Sequence, residues 1–174
     1  DEEYKVLGVL GMGGMAEVYK AEQTSLGRIV AVKKLKAALN QNPEMLERFL
    51  REGKSAANLQ HENIVQVYQM GEIDAERYII MEYVEGQDLK SIVKTVGPIP
   101  WRIAALIVRE IANGLGYAHQ RGFIHRDIKP GNIMISHRGE VKIMDFGIVR
   151  RIDSELTQTG AFLGTPSYMS PEQL

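Results

Sequence analysis

Apolar and polar residues alternate along this chain with two different periods. In the first part the period is close to two: YKVLGVL, AEVYKAE and RIVAVKKLK each read as a strand, separated by a Gly-rich turn and by the turn SLG. A helix is expected from Pro43 to Leu59, with Asn42 as its cap and Pro43 in its first turn. NIVQVYQMGE and RYIIMEYVE read as two more strands, joined by the polar turn IDAE. After EGQDL the period lengthens. Ile103, Leu106, Ile107, Ile111, Leu115 and Ala118 recur at helical spacing and predict one long amphipathic helix over Trp101–Arg121. NIMIS and EVKIM then read as short strands flanking the hairpin turn HRGE. The order predicts an α+β chain: a strand-rich lobe over residues 1–84 with five strands and one helix, a linker near Val84–Asp88, and a helix-led lobe over 85–174. A linker between two lobes is a favoured place for a ligand cleft.

Composition narrows the classes of function. The 174 residues are 44% hydrophobic and 25% charged, as in a folded domain. A net charge of −1 supplies no field for nucleic acid or an anionic membrane surface. Without cysteine there is neither a disulfide framework nor a thiolate metal site. No apolar run approaches the ~18 residues of a membrane span, and no signal peptide opens the chain. Because the sequence starts at Asp1 rather than Met, it is expected to be a piece trimmed from a longer protein, with any membrane anchor outside it.

Candidate chemistry begins in LGMGGMAEVY, where Gly11, Gly13 and Gly14 lie between two strands. Missing side chains let backbone N–H groups approach a phosphate. The alternative is a tight hairpin that needs positive φ. Lys33 follows Val30, Ala31 and Val32, so it points to the sheet face opposite the two valines, either toward a ligand or as an exposed edge lysine. Glu52 lies one helical turn beyond Phe49 and one before Ala56, on their core-facing stripe. It is a partner for Lys33 or, alternatively, for Arg48.

The densest charge lies in HRDIKPGNIM, where His125, Arg126, Asp127, Lys129 and Asn132 fall within eight residues, framed by FI and IMI. Asp145 follows the strand VKIM on a second loop. Singly, each residue reads as part of a solvated turn. Together, an Asp and an Asn oxygen form a hard ligand pair suited to Mg²⁺ beside phosphate, leaving Asp127 to accept a hydroxyl proton.

The ordered set of Gly-rich loop, VAVK, helix glutamate, HRDIKPGN, DFG and GTPSYMSPE resembles a eukaryotic-type (Hanks-type) serine/threonine protein kinase. GMGGMAEVY and SPEQ are most similar to its bacterial PknB-like branch, over nearly the whole chain from Tyr4 to Leu174. The resemblance implies a bilobal kinase fold that uses ATP and Mg²⁺, with Mn²⁺ as the alternative ion. It gives Lys33 the α- and β-phosphates and a pairing with Glu52, Asp127 the role of base, Lys129 the transferring phosphate, and Asn132 and Asp145 the metal. It places Val18, Ala31 and Met134 around adenine, Met81 as gatekeeper, Glu82 and Val84 as backbone partners of the base, and Asp88 at the ribose. The lysine of HRDIKPGN implies Ser/Thr acceptors, supported by Thr165. Thr157 and Thr159 resemble an autophosphorylated pair, with Arg126 as their clamp. Protein substrates, a homodimer for trans-autophosphorylation, and a cytoplasmic location (or the cytoplasmic part of a membrane-anchored kinase) complete what the resemblance implies.

Departures from the family pattern are Ala16 at the third glycine, Gly131 before Asn132 and Ser170 in SPE. The sequence also stops where the family continues with several helices. The C-terminal lobe is therefore expected to be incomplete, part of the 101–121 helix uncovered, and the isolated chain unstable with weak ATP–Mg²⁺ binding, a concern that vanishes if the chain is longer. Alternatives to an active kinase are a truncated or pseudokinase-like nucleotide-binding scaffold and a small-molecule phosphotransferase of related fold. The latter typically lacks HRDIKPGN and GTPSYMSPE.

Overall fold

The computed structural model describes residues 3–39, 42–73, 76–146, 150, 151 and 168. Alternating side chains build a five-stranded antiparallel sheet from β1 (Tyr4–Met12), β2 (Ala16–Gln23), β3 (Arg28–Leu35), β4 (Val67–Ile73) and β5 (Glu76–Glu82), in the order β1-β2-β3-β5-β4. One face packs Ala21, Val30 and Ile80 together, with Tyr4, Val32 and Tyr78 around them. Between β3 and β4 runs α1 (Pro43–Ala57). Its start is the expected cap, since Asn42 Oδ1 accepts from the N–H groups of Glu44 and Met45 at 3.1 and 3.2 Å. Phe49, Gly53 and Ala56 form its buried stripe. Gly53 is glycine for space: a Cβ there would stand 2.6 Å from the Met70 sulfur and 3.0 Å from Ile79 Cδ1.

The chain divides into two compact units, Asp1–Asn58 with Gln66–Tyr83, and Leu59–Val65 with Val84–Leu174. A single cut near residue 84 therefore does not describe the division, because Leu59–Val65 groups with the second unit. This also corrects the expected strand NIVQVYQMGE. The sheet strand begins only at Val67, while Ile64 makes an isolated parallel bridge to Ile143.

In the second unit, β6 (Gly86–Asp88), β8 (Ile133–Ser136) and β9 (Val141–Ile143) form a sheet in the order β6-β8-β9, and β7 (Phe123–Ile124) pairs with β10 (Arg150–Arg151). Two helices accompany them, α2 (Leu89–Val96) and α3 (Trp101–His119). The first was not anticipated, although Leu89, Ile92, Val93 and Val96 carry the helical period and Asp88 is an N-cap type. The second ends two residues earlier than expected, in a turn closed by Gly122 at φ +77°. It buries Gly114 and Ala118, whereas Trp101, Ile103, Leu106 and Val108 are exposed. Among the described residues no helix is long and apolar enough to cross a membrane.

Gly86 pairs with Ser136, and a Cβ on it would overlap the carbonyl oxygen of Ile135 and stand 2.7 Å from Ser136 Cα. Both obstacles are backbone. Gly86→Ala is therefore expected to lower unfolding stability by about 1–3 kcal/mol or more, read as a lower urea midpoint. An unchanged midpoint would contradict this packing.

Candidate active site

Strand register gathers the first group of expected site residues within the first unit. Val18 pairs with Lys33, and Ala31 with Met81. Directly opposed residues share a face, as do residues two apart, so Val18, Ala31, Lys33 and Met81 lie on one face of the sheet. Val30 and Val32 face the other way, into the apolar cluster. Lys33 is half-buried on β3, while the side chain of Glu52 lies outside the described part of the structure.

The glycine turn resolves one of the alternatives left open by the sequence. Gly11, Gly13 and Gly14 are absent from the positive-φ residues, so backbone handedness is not why they are glycines. A Cβ on Gly11 or Gly14 would meet nothing within 4 Å, and one on Gly13 only the Ala16 carbonyl at 3.3 Å. What these glycines leave is room next to the backbone. The Gly13 N–H already donates to the Ala16 carbonyl at 2.9 Å, closing the turn. In β5 the Glu82 N–H is likewise engaged, donating to the Gln66 carbonyl at 2.8 Å.

A second group forms within the second unit. The apolar frame of the HRD run continues into β8, and β8 pairs with β9, so the loops carrying Asp127 and Asp145 are built from one sheet. Met144 N–H donates to the Asn132 carbonyl at 2.9 Å, tying the two loops together. Asn132 is buried, and its Nδ2 donates to the Asp127 carbonyl at 2.8 Å and to Asp127 Oδ2 at 3.1 Å. Lys129 Nζ reaches the same oxygen at 2.7 Å. Two donors on one oxygen fix the plane and position of the carboxylate. Arg126 and Asp145 both adopt left-handed φ, +63° and +56°. Each costs about 1–3 kcal/mol in a non-glycine residue, and such strain concentrates at functional loops.

His125, quoted in the motif without a role, proves to be the buried pivot. It is 2% exposed, its ring meets Phe146 edge-on at 4.7 Å, and Nε2 lies 2.8 Å from the Met144 carbonyl. Asp127 N–H donates to Nδ1 at 3.3 Å, so Nδ1 is the bare nitrogen and Nε2–H donates to Met144. The ring is thus neutral and bonded to both loops. Burial pushes its pKa below the ordinary histidine value, only partly offset by the Met144 bond and the charges of Asp145 and Asp127. Below the ordinary value the unfolded chain binds a proton that the folded chain refuses. Stability is therefore full above about pH 6.5 and falls as pH drops toward the lower folded value. Urea unfolding from about pH 8 to 5 should show this loss, at most about 1.4 kcal/mol per pH unit. In His125→Phe the extra slope should vanish; equal slopes in the two proteins would refute the buried neutral ring.

Asp88 and Met134 are cross-strand partners in β6 and β8. Asp88 has an unforeseen second task as the cap of α2, with Oδ1 accepting from Ser91 N–H at 2.9 Å and Oδ2 from Ser91 Oγ at 2.6 Å. Val84 opens the second unit's main segment. Thr157, Thr159 and Thr165 lie outside the described residues. No group of three or more His, Cys, Asp or Glu side chains suited to a metal occurs among the described residues.

The protein kinase domain profile matches residues 4–174. The chain belongs to the protein kinase family. Within it, this kinase domain is of the bacterial PknB-like, Hanks-type branch. It is 48% identical over 178 residues to the serine/threonine-protein kinase PknB of Mycobacterium leprae (strain TN), covering 99% of this chain and 29% of that protein. It is 46% identical over 171 residues to the serine/threonine-protein kinase PrkC of Bacillus subtilis (strain 168), covering 98% of this chain and 26% of that one. Among solved structures, the Mycobacterium tuberculosis PknI kinase domain superimposes with a TM-score of 0.71 at 36% identity, over 84% of this chain and 60% of that one. The chain thus spans under a third of the two curated relatives.

Proposed function

We propose that the chain is the catalytic part of a protein serine/threonine kinase that transfers the γ-phosphoryl group of Mg-ATP to a protein hydroxyl. The observation that carries this reading is the Asp127 carboxylate, held by Lys129 and Asn132 at the end of a strained turn. A carboxylate so fixed suits a base that aims one hydroxyl and takes its proton as the new P–O bond forms. The bond from the γ-phosphorus to the bridging oxygen then breaks and ADP leaves. Lys129, already beside that carboxylate, would offset charge on the group in transit.

The residues present fit a magnesium ion. With its Nδ2 committed to Asp127, Asn132 has its amide oxygen to offer, and Asp145 adds a carboxylate; both are hard oxygen donors, as Mg²⁺ or Mn²⁺ requires. A bound ion would supply charge compensation for the phosphate oxygens. On the sheet, the shared face of Val18, Ala31, Lys33 and Met81 supports an adenine against Val18 and Ala31 with Lys33 on the phosphates; the parts of Met134 beside adenine and of Glu52 as the partner of Lys33 come from the family resemblance. Gly11, Gly13 and Gly14 leave the room a triphosphate needs against backbone. The family resemblance gives Glu82 and Val84 the backbone hydrogen bonds to adenine and Asp88 the ribose; with its N–H donating to Gln66, Glu82 would contribute through its carbonyl.

Regulation by phosphorylation of Thr157 or Thr159 through Arg126, Ser/Thr selection aided by Thr165, trans-autophosphorylation in a homodimer and a cytoplasmic setting belong to the same reading. Its support is the similarity to proteins named serine/threonine-protein kinases. Incubation with ATP and Mg²⁺ followed by intact-mass and peptide analysis tests it. Added phosphoryl groups on Ser or Thr are expected. Nucleotide binding with no phosphoryl group on the chain or on an added Ser/Thr protein would favour a scaffold instead.

A further inference from the structure

Lys20 of β2 shares the sheet face of Val18, Ala31, Lys33 and Met81. It lies in register with Ala31 of β3, and Ala31 with Met81 of β5. Its backbone is interior to the sheet, paired with Gly8 of β1 on one side and with Ala31 on the other. Both neighbours are small, and a Cβ on Gly8 would meet nothing within 4 Å. The half-buried lysine side chain therefore has room to lie along the sheet instead of standing out from it.

It lies toward Tyr83. Lys20 Nζ stands 4.6 Å from the centroid of the Tyr83 ring, well inside the ~6 Å of a cation–π contact. Glu82 is the last residue of β5 and the last in register with β3, opposite Val30. It is fastened from the β4 side: its N–H donates to the Gln66 carbonyl at 2.8 Å, and its Oε2 accepts from the Gln66 N–H at 3.2 Å. Tyr83 follows beyond the ladder, as the final residue of the first unit. Its ring reaches back across β3, which presents Ile29 and Ala31 on this face, to meet the lysine of β2. The end of β5 is thus held at Glu82 by hydrogen bonds and at Tyr83 by its ring. The Glu82 carbonyl belongs to the planar peptide unit that joins these two residues, so holding both fixes where that oxygen points.

We infer that Lys20 is a positioning residue for the nucleobase: its ammonium holds the Tyr83 ring, and the ring fixes the peptide unit whose carbonyl meets adenine. This role rests on the proposed function, which gives Glu82 a backbone hydrogen bond to the base. Lys20→Met keeps the stem and removes the charge. Lys20→Arg keeps the charge, since a guanidinium over the same ring makes the same kind of contact. Tyr83→Leu removes the ring.

Proton NMR reads the contact without nucleotide. The εCH₂ protons of a lysine over an aromatic ring are shielded. The Lys20 signal, identified by its loss in Lys20→Met, should lie upfield of the other lysines and return among them in Tyr83→Leu. An unshielded signal, or one that Tyr83→Leu leaves in place, would overturn the contact. Equilibrium binding then tests the role, with adenosine and a non-hydrolysable ATP analogue as probes. In Lys20→Met both dissociation constants should rise by the same factor, about two- to five-fold, as expected of one partly exposed cation–π contact. Lys20→Arg should stay close to wild type. In the Tyr83→Leu background, Lys20→Met should add no further loss. A loss confined to the ATP analogue would make Lys20 a phosphate contact and overturn the role. Undiminished affinity, or equal losses with and without the Tyr83 ring, would overturn it as well. If the unaltered protein binds neither probe, the proposed kinase function fails and the adenine role with it, while the proton shifts still decide the contact.

Discussion

Asp127→Asn is expected to slow phosphoryl transfer by about 10²–10⁴-fold, the usual worth of a positioned general base. Asparagine has the shape of the aspartate and can still accept from Asn132 Nδ2, so the loop should keep its course. What it lacks is the capacity to take a proton and the charge that holds Lys129 at 2.7 Å. The loss should therefore fall on kcat, with affinity for ATP–Mg²⁺ and the urea midpoint close to wild type. Single-turnover transfer to a Ser/Thr peptide, with nucleotide affinity measured separately, checks both halves. A rate within a few-fold of wild type would remove Asp127 from the role of base.

A second large effect is expected at Asp145, where chemistry and backbone strain can be separated. Its φ of +56° is one that glycine adopts without penalty. Asp145→Gly should therefore fold at least as stably as wild type. It should nonetheless lose at least about 100-fold in Mg²⁺-dependent transfer, since the charge compensation of a bound metal is worth several kcal/mol. A residue there only to shape the turn would give the opposite result, with glycine preserving transfer. Initial rates across a Mg²⁺ titration, alongside urea unfolding, distinguish the two.

The parts of the fold legible in the sequence are those where period and polarity agree. The first-lobe strands, the Asn42 cap and the long helix followed from local pattern because each element buries one face of its own sequence. Leu59–Val65 was misread because NIV has the β-branched look of a strand continuing into VYQM. Its true partner is β9, far away in sequence, and no local signal marks which unit captures it. Helix α2 was readable and overlooked: Asp88 attracted a ligand role, while its three-residue spacing to Ser91 was the capping signal. At the candidate site, the charged residues of HRDIKPGN and DFG were conspicuous because charge framed by apolar strands is hard to place otherwise. His125 and Asn63 were not. Their work is to bond backbone carbonyls across loops, and composition carries no trace of which carbonyl a side chain will find.

The decisive measurement is a crystal structure of the chain with Mg²⁺ and a non-hydrolysable ATP analogue. The predicted result is one nucleotide whose phosphates are contacted by Lys33, whose metal is ligated by Asn132 and Asp145, and whose terminal phosphate faces Asp127. A triphosphate bound beyond the reach of Lys33, or a metal held without Asn132 and Asp145, would contradict it.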